Sequence, residues 1–219
     1  MSFLLAIEGG DGAGKATCAA EVVAQLKAAG RTATVMSFPR YAETLGGRML
    51  GEMLGGRAPQ VTDPRATAVL YAFDRLESAP AITQAAAAHE VVVFDRFVAS
   101  NMAYQAAQAA AEEADALMAW IARLEIEQFG LPAPDLNVYL DTPPDIARGL
   151  ILRKRPRGYT DEALDAYEAD TGLQVRVRAN YATLVAGEML GRWATVPALN
   201  AGALRPPREI AAEVISLIS

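Results

Sequence analysis

A glycine-rich turn constrains this chain more than any other feature. Gly9-Gly10-Asp11-Gly12-Ala13-Gly14-Lys15 stands directly behind the apolar run of residues 3–7 and leads into a helical pattern over residues 19–29. Strand, glycine loop and helix in that order, with four residues between Gly9 and Gly14-Lys15, have the layout of a phosphate-binding loop. Glycine adopts positive φ without strain, so the backbone can coil tightly and turn consecutive N–H groups toward phosphate oxygens. The helix that starts near Gly14 adds the positive end of its dipole, and Lys15 adds a mobile cation for the β- and γ-phosphates. A turn with a solvent-exposed lysine is the alternative. The strand before the loop and the helix after it favour nucleotide binding.

The remaining apolar runs extend this start into a sheet. Residues 32–37, 90–94, 136–140 and 193–196 read as buried parallel strands separated by helical stretches, a βαβ series and hence a doubly wound α/β sheet. The alanine-rich segments 85–89 and 106–116 have high helix propensity and read as helices rather than linkers. No repeat or boundary divides the 219 residues, so a single domain over 1–219 is expected.

Composition excludes several classes. A net charge of −6 argues against nonspecific nucleic-acid binding, and no apolar run approaches the roughly 20 residues of a membrane span. The short apolar start that runs into the loop is unlike a signal peptide. Cys18 is the single cysteine, which rules out an internal disulfide framework and fits a cytoplasmic location; it reads as a buried structural thiol. Lysine occurs at Lys15, Lys27 and Lys154, so 17 of the 20 basic residues are arginine. Arginine forks suit phosphate, although an arginine- and alanine-rich genome gives the same composition.

In open parallel sheets ligands lie beyond the carboxyl ends of the strands. After the second strand comes Phe38-Pro39-Arg40-Tyr41, an aromatic turn with one guanidinium. On a helix over about 63–87, Tyr71 and Arg75 stand four residues apart and share a face; taken alone they read as a surface pair. The third strand closes in Asp95-Arg96, where a carboxylate at a strand end can sit beside Mg²⁺ or its waters. His89, the only histidine, precedes that strand at the opposite edge and reads as structural.

Asp95-Arg-Phe-Val-Ala-Ser-Asn-Met-Ala-Tyr-Gln105, together with the glycine loop, Phe38-Pro-Arg-Tyr41, Phe73-Asp-Arg75 and Pro134-Asp-Leu-Asn-Val-Tyr-Leu-Asp141, strongly resembles the thymidylate kinases, and the actinobacterial type most closely. The resemblance runs in register from Ile7 to about Asp170 and is weaker beyond. Ala16 stands where a metal-binding hydroxyl follows the lysine in GTPases and motor ATPases, with Thr17 next; nucleoside monophosphate kinases tolerate that departure.

The resemblance implies a P-loop kinase fold, with a five-stranded parallel sheet, helices on both faces and a short lid at about 153–160. It implies ATP-dependent phosphorylation of dTMP to dTDP in dTTP biosynthesis, with ATP and Mg²⁺ as cofactors and a homodimer as the assembly. Other nucleoside monophosphate or deoxynucleoside kinases, and a nucleotide-binding protein without turnover, remain as alternatives.

By the same resemblance, Gly9, Asp11, Gly12, Ala13, Gly14, Lys15, Ala16, Thr17, Arg153 and Arg157 would hold ATP. Phe38, Pro39, Tyr41 and Tyr71 would enclose thymine, while Arg75 and Asn101 would read its edge, with Ser100 and Gln105 in the same wall. Tyr104 would exclude a ribose 2′-OH, and Asp11 would take the 3′-OH. Arg40 and Arg96 would clamp the dTMP phosphate. With glycine at Gly12, the catalytic arginine would come from the lid, Arg155 first, joining Lys15, Arg96 and Asp11 as the catalytic set. Tyr167 would face the acceptor phosphate, and Asp11, Asp95 and Glu168 would serve magnesium. The dimer is expected through apolar faces such as that of residues 115–129, a face that could equally be core.

Overall fold

The structure, a computed structural model, describes residues 2–152 and 170–218. Five parallel strands form one sheet in the order β2-β3-β1-β4-β5: β1 (Phe3–Glu8), β2 (Ala33–Ser37), β3 (Val91–Asp95), β4 (Leu136–Asp141) and β5 (Trp193–Pro197). All five expected strands are present, each within a residue or so of its expected ends. A two-stranded antiparallel ribbon (Leu199–Asn200 with Ala203–Leu204), which carries no apolar run, was not anticipated.

Eight α-helices flank the sheet among the described residues: α1 (Lys15–Ala28), α2 (Leu45–Leu54), α3 (Pro64–Ala88), α4 (Val98–Ala106), α5 (Ala114–Ala122), α6 (Pro144–Leu152), α7 (Thr171–Ala186) and α8 (Pro207–Ser216). Both faces of the sheet are apolar, as parallel strands covered by crossovers require. On one face Leu5, Ile7, Val91, Val93, Val138 and Leu140 pack with Val22 and Leu26 of α1 and Val214 of α8. On the other, Ala6, Val92, Phe94 and Tyr139 pack with residues of α3, α4, α5 and α7. No described helix is long and apolar enough to cross a membrane.

One expectation changes and one open alternative is narrowed. Residues 106–116 are not one helix: α4 stops at Ala106, and a 3₁₀ turn (Ala111–Glu113) precedes α5. The Nε of Arg176 on α7 donates to the Ala107 carbonyl at 2.6 Å, so a tertiary contact takes the acceptor that the next helical turn would use. At residues 115–129, read as dimer face or core, burial favours the core. Leu117, Met118 and Ile121 are buried in the core, and the helix widens into a π-helical stretch at Arg123–Gln128. The large apolar side chains left exposed lie elsewhere, among them Leu45 and Met49 on α2 and Val69 and Phe73 on α3.

His89 ends α3, its ring nitrogen 3.0 Å from the Ala85 carbonyl, in keeping with a structural role. Cys18 is buried on α1, and burial pushes its thiol up to about 12, which removes it from nucleophilic chemistry at neutral pH.

Candidate active site

β1 lies between β3 and β4, so the loop that leaves its carboxyl end faces the crevice where the strand order reverses. In that loop Gly9, Gly12 and Gly14 take φ of 147°, 75° and 91°. α1 begins at once, with Cys18 N donating to Gly14 O at 2.9 Å. The Lys15 ammonium turns back into the loop and donates to the carbonyls of Gly9 (3.0 Å) and Gly10 (2.6 Å). Burial and then the nearby Arg96 guanidinium push its pKa down to about 7. Ala16 and Thr17 are exposed on the first turn of α1.

At Gly12 a side chain has no room. A Cβ there would lie 2.2 Å from the Ala147 carbonyl oxygen and 2.8 Å from Ile151 on α6. Gly12→Ala combines that clash with strain at positive φ, so it is expected to lower stability by about 1–3 kcal/mol. Urea unfolding checks this; an unchanged midpoint and slope would mean that α6 does not rest on the loop.

A cavity opens on the β2–β3 side of the loop. Phe38, Pro39 and Tyr41 line it from the turn after β2, Tyr71 and Arg75 from α3, and Arg96 and Phe97 from the corner after β3. Ser100, Asn101, Tyr104 and Gln105 line it from one face of α4, and Asp11 from the glycine loop. The helical repeat explains the α4 set, since positions i, i+1, i+4 and i+5 fall on one side. Arg75 is buried, contrary to the surface pair that its spacing alone favours. Its Nε and Nη2 donate to Glu125 at 2.5 and 2.7 Å.

Arg40 is placed apart from this lining. Its guanidinium is ion-paired with Glu43, and its backbone N–H donates to the buried Asp74 carboxylate at 3.1 and 3.3 Å. Asp74 also accepts from the Thr44 hydroxyl at 2.5 Å, so one buried acid shapes the whole turn. The Phe38–Pro39 peptide in that turn is cis.

Arg96 joins cavity and loop. It sits at φ 67°, pairs with Asp11 and lies 5.2 Å over the Tyr104 ring; its Nη1 is 3.4 Å from both the Gly9 carbonyl and the Ser100 hydroxyl. Burial would raise the Asp11 pKa, but Arg96 and Lys15 outweigh it and hold the carboxyl below the usual range. The other Asp11 oxygen accepts from Gln174 of α7 at 2.9 Å. A second hollow on the far side of the loop is lined by Gly10, Asp11, Ala13, Thr142, Arg148, Gln174 and Arg178, so Asp11 borders both spaces.

Among the described residues no three His, Cys, Asp or Glu side chains form a set that could hold a metal alone. That is compatible with Mg²⁺, which keeps several waters and binds through one or two carboxylates plus substrate phosphates. Asp95, at the end of β3, has the Ser37 hydroxyl 3.5 Å away. Arg153, Arg155, Arg157, Tyr167, Glu168 and the expected lid lie outside the described residues.

The sequence reading missed Glu8, Glu125, Gln174 and Tyr181. Glu8 is fully buried at the end of β1 and accepts from Phe97 N (2.8 Å), Ser100 Oγ (2.6 Å) and Tyr181 OH (2.9 Å), which fixes the corner carrying Arg96. An acid closing a wholly apolar strand was the one available signal. Glu125 and Gln174 reach the site only through long-range packing.

Two cavities sharing one charged wall, with a phosphate-type loop at the carboxyl end of the central strand, place this molecule among the P-loop kinases. More narrowly, the chain belongs to the thymidylate kinase family, whose family model matches residues 7–199. Thymidylate kinase of Mycobacterium tuberculosis is 38% identical over 211 residues, which cover 94% of this chain and 98% of that protein. Thymidylate kinase of Leifsonia xyli is 35% identical over 216 residues, covering 97% of this chain and 92% of the other. The fold is similar to that of thymidylate kinase from Candida albicans, with a TM-score of 0.73 at 19% identity, over 99% of this chain and 91% of that one.

Proposed function

We propose that this protein transfers the γ-phosphoryl group of ATP to dTMP, giving ADP and dTDP, a step toward dTTP. The observation that carries this reading is the Asp11–Arg96 pair, which stands between the glycine loop and the cavity lined by α4. The loop amides and Lys15 would hold the donor phosphates, and Arg96 would face the acceptor phosphate from the other side. Asp11, whose carboxylate borders the same cavity, would take the 3′-OH of the sugar. Tyr104, packed under the Arg96 guanidinium, would close the space a 2′-OH needs.

The nucleophile is an oxygen of the dTMP phosphate, whose second pKa is about 6, so it is largely dianionic at neutral pH and needs no general base. What opposes reaction is repulsion between two anions, and the cations of the site relieve it as charge spreads over the equatorial oxygens. Mg²⁺ bound with ATP supplies further charge neutralisation. Among the described residues Asp95 and Asp11 would serve it, and Asp95 is the less engaged of the two, since each oxygen of Asp11 already accepts from Arg96 or Gln174.

A coupled ADP-release assay with and without dTMP tests this reading, with dUMP, dCMP and deoxynucleosides as other acceptors. ADP release that depends on dTMP is expected. Release independent of acceptor, or none at all, defeats the proposal. Arg155→Ala should lower kcat about 10²-fold with a smaller change in dTMP affinity; an unchanged kcat removes Arg155 from catalysis. The buried single cysteine fits a reducing cytoplasm. A homodimer through α2 and α3, which carry the exposed Leu45, Met49, Val69 and Phe73, is testable by light scattering.

A further inference from the structure

The base-reading end of the cavity contains an acid that touches none of the space a substrate would fill. Glu125 is fully buried, and its two oxygens face only donors: Arg75 Nε on Oε2, and both Arg75 Nη2 and Asn101 Nδ2 (2.8 Å) on Oε1. Asn101 Nδ2 gives its other hydrogen to the Ala68 carbonyl at 3.0 Å. A carboxylate and a carbonyl are both acceptors, so turning the Asn101 amide over would set its oxygen against two oxygens in a buried place. The amide therefore has one orientation. Its Oδ1 is buried, has no hydrogen-bond partner among the described residues, and belongs to a side chain that lines the cavity.

Gln105 shows the complementary pattern. Gln108 Nε2 donates to its Oε1 at 3.2 Å, which leaves its buried Nε2 without a partner among the described residues. Asn101 and Gln105 thus hold one unpartnered acceptor, Oδ1, and one unpartnered donor, Nε2, on side chains that line the cavity beside the Arg75 guanidinium. This pattern complements an imide edge, an N–H between two carbonyls, as in thymine and uracil. Cytosine carries a lone pair at that ring nitrogen and an amino group beside it, so it meets like with like.

We propose that Glu125 is a positioning residue that sets base specificity: by taking the Asn101 amide hydrogens and the Arg75 fork, it fixes the cavity as a reader of imide bases against amino-pyrimidines. The π-helical stretch Arg123–Gln128 is the local irregularity from which Glu125 projects. This proposal rests on the dTMP reading above.

In Glu125→Gln one terminal atom becomes an NH₂. At the Oε1 position it faces the Arg75 and Asn101 donors and removes the lock on Asn101; at the Oε2 position it faces Arg75 Nε–H and breaks the Arg75 fork. Either orientation disturbs the base-reading pair. The test is kcat/KM with ATP for dTMP, dUMP and dCMP in the wild type and in Glu125→Gln. The variant should raise KM for dTMP about 10-fold and lower the dTMP/dCMP preference about 10-fold or more. It should leave the dTMP/dUMP preference unchanged, because those two share the imide edge. A purely structural role would lower all three substrates together, and that result overturns the proposal.

Removing the charge from a buried pair can prevent folding, so Glu125→Asp, which keeps the charge but is one methylene shorter, is measured alongside. It should shift the dTMP/dCMP preference in the same direction by about 3-fold, and no shift overturns the proposal. In the wild type without ligand, the Asn101 side-chain amide hydrogens should exchange slowly with solvent by NMR, and exchange at the rate of an exposed asparagine overturns it without any variant. If the wild type fails to phosphorylate dTMP, the proposed function falls. If it succeeds and the ratios do not move, only the role of Glu125 falls.

Discussion

Lys15→Ala should lower kcat for ADP formation at least about 10³-fold while the protein remains folded. The ammonium lies 3.0 and 2.6 Å from the carbonyls of its own loop, so it is already held where phosphate oxygens would meet it. Alanine removes the buried side-chain cation that the glycine loop itself holds and leaves the backbone N–H groups of the loop in place.

The same residue sets a pH dependence. Its folded pKa of about 7 lies below the ordinary lysine value, so between about pH 7 and 10.4 the unfolded chain binds more protons than the folded one. Stability of the ligand-free protein therefore rises with pH across that window, and Lys15→Ala removes that rise. A bound triphosphate favours the ammonium, so at pH 8 ATP binding should take up nearly one proton, about 0.9 from the pKa difference. Calorimetry in two buffers of different ionisation enthalpy reads this number directly. Equal proton uptake in wild type and Lys15→Ala would show that Lys15 does not meet phosphate.

Arg96→Ala should reduce kcat/KM for dTMP about 10³-fold, with the affinity for a nonhydrolysable ATP analogue changed less than about 10-fold. Arg96 is the guanidinium that reaches the glycine loop, Asp11 and the cavity at once, so its loss removes attraction for the acceptor phosphate and leaves Asp11 without its closest counter-charge. Arg96→Lys keeps the charge but not the fork, and about 10-fold of the loss should return. An unaltered KM for dTMP in Arg96→Ala would mean that the acceptor phosphate binds elsewhere.

Asp11 also sets an acid limit. Its carboxyl is held below the usual range, so its contribution to stability is complete above about pH 4 and disappears as pH falls through the lower folded value. Arg96→Ala, which removes the larger of the two attractive charges, should weaken that contribution.

The parts of this protein legible in its sequence are those written locally. Five apolar runs of strand length became the five strands, most plainly the central β1, β3 and β4, whose largely apolar residues are nearly all buried between helices on both faces. The glycine loop was legible because its chemistry depends on backbone freedom at Gly9, Gly12 and Gly14, and glycine is the residue that supplies it. Four wall residues of the cavity fall at helical spacing on α4; the resemblance to the thymidylate kinases named them, and the helical repeat explains why they share one side. Helix propensity misled at residues 106–116, where the contact from Arg176 to the Ala107 carbonyl outweighed an alanine run worth only tenths of a kcal/mol per residue.

The sequence by itself determined the strand–loop–helix start and the sheet class, because each depends on residues adjacent in the chain, whereas the side chains expected to meet a nucleotide came from the resemblance to the thymidylate kinases. Only the tertiary structure decided that Arg75 is buried on Glu125, fifty positions away, and that Asp11 is held between Arg96 and Gln174. It also decided that the apolar face of α5 belongs to the core. The reason is the dielectric of the interior. A charge taken out of water must find a partner wherever the fold brings one, and no spacing along the chain records which partner that will be.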